Sequence, residues 1–317
     1  TGDRDIDVVD YSLWWVVALL DQYLSSGDES LLHDLFPVVR GVLDGVLEQR
    51  SSRGLVRAFQ WVFIDWADVD VDGEPAALNA ILYGALRAGA RLAEQLQAAA
   101  ERQRWESAAA QLRAAYLPTY WDADRQVLVD SSTARWSSST VSEHTNFAAI
   151  RFGLVDDEMG HRLADRLLVE RTPDVTEAQP FFSSVVLDAL YRIDRMDLAL
   201  SVVRERWGAR FVDRGYSSTP EEWGINGSWR SGSFDGFMRT LSHAWSAYPA
   251  AFLIQRLAGI EPVDPGCRTV RVAPALVDID YDIRFPTPLG PIEVSKQGAR
   301  TSVKAPAAMT VLREGRC

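Results

Sequence analysis

The sequence is poor in features that would tie it to several large classes of function. Two cysteines in 317 residues, Cys267 and Cys317, cannot build a disulfide framework or a metal site of cysteine type. Basic residues are in deficit: 33 Lys and Arg stand against 44 Asp and Glu, a net charge of −11. That balance argues against a nucleic-acid partner, which needs a basic face for phosphates, and against an anionic membrane surface. Long apolar runs are also lacking. The strongest, near residues 13–24, is interrupted by Asp21 and Gln22 and is too short to span a bilayer. Thr1-Gly2-Asp3-Arg4-Asp5 has neither the basic start nor the apolar core of a signal peptide. The compartment, cytoplasmic or secreted, is therefore not set by a visible signal. A glycine-rich phosphate loop, a paired-His metal spacing and a Gly-x-Ser-x-Gly elbow are missing, and the four histidines are isolated. No cofactor and no metal is expected, and carboxylates are left as the best catalytic groups.

What is present is an ordinary globular balance, 47% hydrophobic and 24% charged, which argues against disorder. Tryptophan is abundant, with 11 residues, several of them beside Asp, Glu, His or Gly in loop-like segments. Indole faces stack on the C–H faces of sugars while neighbouring acids bind hydroxyls. Any single Trp is as readily a core residue.

The first two-thirds reads as successive helices by apolar spacing. They cover residues 11–25, 31–48, a helix opened by Pro75 and continued through 88–100, then 104–116, 145–151, 161–169, 182–193, 197–207 and 242–257. Tight joins such as 25–28 alternate with long ones at 51–74, 120–143 and 215–240, rich in Asp, Trp, Ser and Gly. This alternation predicts helical hairpins packed side by side, with the long loops gathered on one face. After residue 261 the period changes to two. Short runs at 269–272, 281–285, 292–294, 301–304 and 309–312, punctuated by Pro and Gly, predict a small β domain leaning on the helical one.

Four segments could carry chemistry. In Gly215-Tyr216-Ser217-Ser218-Thr219-Pro220-Glu221-Glu222-Trp223, two glutamates precede a Trp, with Trp229 and His243 beyond. A carboxylate there could take a proton from water, or the segment could be a solvated loop. In Trp61-Val62-Phe63-Ile64-Asp65-Trp66, aromatics alternate with an acid, and Asp68, Asp70 and Asp72 follow as an acidic loop with only a weak likeness to a calcium site. Asp10, in Asp10-Tyr11-Ser12-Leu13-Trp14-Trp15, reads as an N-cap or as a ligand-facing acid. The serine-rich 137–146 segment reads mainly as a cap for the next helix.

These residues together resemble the bacterial α-L-rhamnosidases. Asp10 to Trp15 followed by Tyr23-Leu24-Ser25-Ser26-Gly27-Asp28 is similar to that family's helix ending in Gly-Asp. Phe63-Ile64-Asp65-Trp66 is similar to its Phe-x-Asp-Trp loop, Gly215 to Trp223 to its Gly-Ala-Thr-Thr-x-Trp-Glu-x-Trp segment, and Ser242-His243-Ala244-Trp245 to its His-containing helix. Phe285-Pro286-Thr287-Pro288-Leu289-Gly290 and Val303-Lys304-Ala305-Pro306 are similar to its C-terminal β domain. The resemblance implies a mainly α fold, a six-hairpin (α/α)6 barrel, in part, over residues 1–261, and a small antiparallel β-sandwich over 262–317. It implies inverting hydrolysis of a terminal α-L-rhamnosyl unit, with a carbohydrate as the partner. By the same resemblance Glu221 is the general base, with Glu222 beside it as the other candidate because Pro220 stands where the family has Trp. Asp10, Trp61, Asp65, Trp66, Trp223, Trp229 and His243 fall to substrate binding. The family's general acid lies in an Asp/Glu-Arg-rich loop followed by Trp-x-Gly-Asp, which this sequence lacks. An N-terminally incomplete, impaired hydrolase is the resulting expectation. The alternatives are a six-hairpin glycosidase for another sugar and an inactive carbohydrate-binding fragment.

Overall fold

A computed structural model describes residues 8–223 and 240–313. Its helical part is a series of hairpins. Helix α1 (Val9–Ser26) turns into α2 (Glu29–Leu47) through Gly27, whose φ of 70° closes α1, and through Asp28, whose carboxylate accepts the Leu31 N–H at 3.0 Å. Helices α3 (Ala76–Gln95) and α4 (Ala99–Tyr120) form the second hairpin. The third is α5 (Glu143–Phe152) with α6 (Asp157–Ala164), and the fourth α7 (Pro180–Arg192) with α8 (Met196–Val202). Wider π turns, Asp165–Val169 and Val203–Gly208, prolong α6 and α8. A last helix, α9 (Tyr248–Phe252), is entered by a 3₁₀ turn and left by a π turn.

Helices α1, α3, α5 and α7 pack against one another in that order, and α7 meets α9. They are the inner wall. Of the 20 residues of α3, 16 are buried, which marks a helix covered on every side. Each fully buried Leu or Ile of this wall, such as Leu78 and Ile81, contributes about 1.5–3 kcal/mol. One antiparallel partner separates each inner helix from the next, so the inner helices share a direction. Their N-termini, and the long connections that lead into them, lie at one end; the short joins lie at the other.

Two helix expectations are corrected. The stretch 88–100 is not one helix: α3 stops at Gln95, Gln97 takes φ 56°, and α4 starts at Ala99, ahead of 104. Fully buried Trp105, edge-on to Phe36 at 5.9 Å, fixes where α4 packs, and that tertiary demand overrides an Ala-rich sequence with no local stop signal. The 242–257 stretch is broken by Pro249 at the start of α9, which supplies no N–H for a continuous helix.

The tail forms β1 (Ile260–Pro262), β2 (Thr269–Val272), β3 (Tyr281–Phe285), β4 (Ile292–Gln297), β5 (Arg300–Lys304) and β6 (Thr310–Arg313). They make two three-stranded sheets, ordered β6-β2-β1 and β5-β4-β3. All pairings are antiparallel except β2 with β6, which is parallel. Ile260, Val270, Val272, Ile292, Val294 and Met309 form their small core.

Gly259 joins barrel to sheet. It has φ 63°, and a Cβ placed on it would lie 1.8 Å from the Ala273 carbonyl oxygen. The replacement Gly259→Ala is expected to cost about 2–5 kcal/mol, from left-handed strain plus overpacking against backbone. A urea midpoint within error of wild type would contradict this account of the junction.

Candidate active site

The end of the barrel that gathers the inner-helix N-termini also gathers the predicted site segments. Asp10 and Tyr11 come from the first turn of α1, His144 from that of α5, Phe181 from that of α7, and His243 and Trp245 from the entry to α9. Residues 61–66 and 219–223 come from long connections.

Segment 219–221 is laced to 240–246. The Glu221 N–H donates to the Thr240 carbonyl at 2.9 Å, and the His243 N–H to the Thr219 carbonyl at 2.8 Å. The Trp245 indole N–H donates to the Glu221 carbonyl oxygen at 3.0 Å, and the Ser246 hydroxyl to the Pro220 carbonyl. With its backbone held on both sides, the Glu221 side chain reaches across to the other long connection. The Trp66 indole N–H donates to Glu221 Oε1 at 3.0 Å. The His243 Nδ1 stands 3.9 Å from Glu221 Oε2, with the two side chains 32% and 19% exposed.

The loop that carries Trp66 is held by two buried acids. Asp10 accepts the N–H groups of Phe63 at 2.9 Å and Ile64 at 3.2 Å, one on each carboxylate oxygen. Burial raises its pKa, and those two backbone bonds oppose the rise. Asp65 accepts the Trp66 N–H at 2.9 Å and the Gln179 N–H at 2.8 Å, and His144 Nε2 lies 2.9 Å from its Oδ2. Between the two acids Ile64 takes φ 56°, a conformation a β-branched side chain tolerates only when its surroundings impose it.

Aromatic rings cluster beside Glu221, where the Trp66 and Trp245 indoles touch it. Phe63 is at their centre, 5.0 Å from Trp66, 5.6 Å from Tyr11, 5.8 Å from Trp61 and 6.4 Å from Trp245, centroid to centroid. Phe181 closes the ring at 5.2 Å from Trp245 and 5.7 Å from Tyr11, and His243 packs at 4.1 Å on Trp245. The result is an aromatic cup with one partly exposed carboxylate in its wall. Such a surface can stack on the apolar face of a pyranose and offer a base to a water molecule.

The structure thus brings Glu221, Trp66, His243 and Trp61 together; Trp61 stands at the rim, 44% exposed. Four other predicted site residues are placed differently. Asp10 and Asp65 are fully buried, and their oxygens are occupied by protein donors, so neither presents its carboxylate to a ligand. Asp10 is not an N-cap either, because Val8 occupies that position. Trp223 is 9% exposed, with Trp207 and Phe211 on its ring and its indole N–H spent on the Ala178 carbonyl at 2.7 Å. Its position is that of a core tryptophan behind the cup. Glu222 is 4% exposed. Trp229 lies outside the described residues. Sequence reading missed Tyr11, His144, Gln179 and Phe181 as site residues. The helix starts at Ser142 and Pro180 gave the signal, since first turns of inner helices open on this face. In the acidic loop, Asp70 accepts the Asp72 N–H at 2.9 Å and the Ser138 hydroxyl at 2.6 Å. No cluster of metal-ligating side chains occurs among the described residues.

A sequence profile described as the bacterial alpha-L-rhamnosidase 6 hairpin glycosidase domain matches residues 7–257. Among solved structures, the chain is similar to the GH78 family rhamnosidase of Bacillus sp. GL1, with TM-score 0.87 and 25% identity, covering 97% of this chain and 33% of that one. It is similar to the rhamnosidase from Klebsiella oxytoca with rhamnose bound, with TM-score 0.69 and 25% identity, over 81% of this chain and 48% of that one. The alfa-L-rhamnosidase from Aspergillus terreus shares the fold at TM-score 0.72 and 17% identity, over 94% and 36% of the two chains. The chain thus spans a third to a half of the length of these structures. A search of curated protein sequences finds no match. With a profile match over most of its length and a barrel superposing on these enzymes, the chain belongs to the bacterial α-L-rhamnosidase six-hairpin glycosidase family.

Proposed function

We propose that this chain carries the base-bearing part of a glycoside hydrolase that releases terminal α-L-rhamnose with inversion. The observation that carries the reading is the Glu221 carboxylate, bonded to the Trp66 indole inside an aromatic cup. Residues 1–261 form the catalytic unit in this reading, and 262–317 the β unit that braces it.

In an inverting reaction one carboxylate takes a proton from water as that water attacks the anomeric carbon, and a second acid protonates the leaving oxygen on the other face. Glu221 suits the first role. Its Oε1 is oriented by Trp66, and Oε2, on the His243 side, accepts the Thr240 N–H at 3.3 Å and keeps a second lone pair for the water proton. Glu222, buried beside it, has no comparable access to the cup. Trp66 and Trp245, both part-exposed, offer apolar faces to the sugar ring, Phe63 is buried behind them, and Trp61 at the rim suits the aglycone. Asp10, Asp65 and Trp223 act at one remove, by holding the 61–66 and 178–179 segments in place.

The reading is tested with an aryl α-L-rhamnoside whose phenol is a good leaving group, for which proton delivery matters least. Glu221→Gln in the full-length protein is expected to lower turnover by roughly 10²–10⁴-fold, with L-rhamnose binding retained. Full activity in that variant, together with an inactive Glu222→Gln, would move the base one residue along.

A second prediction concerns the support beneath Trp66. His144→Leu removes one donor from the buried Asp65 carboxylate and is expected to cost about 1–3 kcal/mol in urea unfolding. Turnover should fall more than KM rises, because Trp66 then orients Glu221 less well. In His144→Gln an amide N–H can replace the ring donor, and much of both losses should be recovered. Equal damage in the two variants would count against a hydrogen-bonding role.

A further inference from the structure

The cup poses a recognition problem. A sugar site needs polar groups to read hydroxyls, and the two acids best placed by sequence, Asp10 and Asp65, are consumed by backbone N–H groups and by His144. Glu221 accepts from Trp66 on one oxygen and from the Thr240 N–H on the other, where in the proposed reading it also meets the water. Tyr11 is different. It lies in the first turn of α1 with its ring edge-on to Phe63 at 5.6 Å and tilted against Phe181 at 5.7 Å. The residue is 37% exposed, and its hydroxyl makes no hydrogen bond to any described residue. Two ring contacts hold the phenol at the mouth while its donor is unspent.

We propose that Tyr11 is a specificity-determining residue of the cup: its ring completes the aromatic wall, and its hydroxyl donates to a hydroxyl of the bound pyranose. The inference rests on the rhamnosidase reading and names the ligand class more closely, as a neutral sugar. The phenol is held protonated, its pKa pushed up by burial first and then by the negative charges of Asp10, Asp65 and Glu221. It is therefore a donor at every physiological pH. The same three charges make the mouth electronegative, and no Lys or Arg is paired with Glu221 among the described residues, His243 being its one basic neighbour. A uronic acid would bring its carboxylate into that field and is disfavoured; a 6-deoxy sugar brings none.

The test uses L-rhamnose and its monodeoxy analogues as ligands, with binding followed by titration calorimetry on the full-length protein. Tyr11→Phe keeps the ring and removes only the donor. It should weaken L-rhamnose binding roughly tenfold, the cost of one hydrogen bond. For the deoxy analogue that lacks the contacted hydroxyl, wild type and variant should bind equally. A purely structural role would weaken every ligand alike, and that outcome overturns the proposal, as does an unchanged affinity for L-rhamnose. Glu221→Gln, titrated in parallel, separates the two readings. If it binds L-rhamnose without turning over substrate while Tyr11→Phe behaves as wild type, the assignment of Tyr11 fails and the catalytic reading stands. If the wild-type protein binds no L-rhamnose, both fail together.

Discussion

A carboxylate shut away from water must find its donors inside the protein, and Asp65 finds them on three segments. The Trp66 N–H comes from its own loop, the His144 ring from α5, and the Gln179 N–H from the residue just before α7. Burying the charge costs several kcal/mol unless these bonds are made, and each bond to a charged group returns about 1.5–3 kcal/mol. The three segments are therefore coupled: none can drift without leaving a buried charge under-solvated. Asp10 does the same for the residues just before, through Phe63 and Ile64. Between them the two acids hold Ile64 in its left-handed conformation and turn Trp66 toward Glu221.

That arrangement shows how far the sequence could be read. Apolar spacing located the barrel helices and the later strands, because both rest on burial of one face at a fixed period. It failed at Gln95–Ala99, where Ala, Leu and Gln run through the break with full helical propensity and only the packing of Trp105 demands a new start. Strand β1 was hidden for a related reason. Ile260-Glu261-Pro262 has too few residues for a period to show, and its pairing with β2 is long-range.

The site was legible in its loops and less so in its side chains. Aromatics alternate with an acid around Asp65, and the resemblance assigned Asp65 and Trp66 alike to substrate binding. The left-handed turn at Ile64 breaks that alternation, so Asp65 goes to the interior while Trp66 stays half-exposed. A residue with φ near +60° carries no mark in a sequence that places Ile there. His144 was equally obscure, since a lone histidine after a serine-rich run reads as a helix start, which it also is.

Glu221 and Glu222 illustrate the same limit at the catalytic position. By type and spacing the two are equivalent, and the exchange of a family Trp for Pro220 removed the usual landmark. Pro220 has no N–H to donate, so the orientation of Glu221 is set by its own N–H on Thr240 and by its carbonyl on the Trp245 indole. Those bonds lie on the side of 240–245, and the chain then dives inward as the Trp223 N–H binds the Gln179 side chain at 3.0 Å. Glu221 sits before that dive and Glu222 within it. Gln179 also offers its own N–H to Asp65, so the residue that buries Trp223 belongs to the network that aims Trp66. The loop bearing the carboxylate and the loop bearing its indole partner are thus registered to each other twice, once directly and once through the core behind the cup.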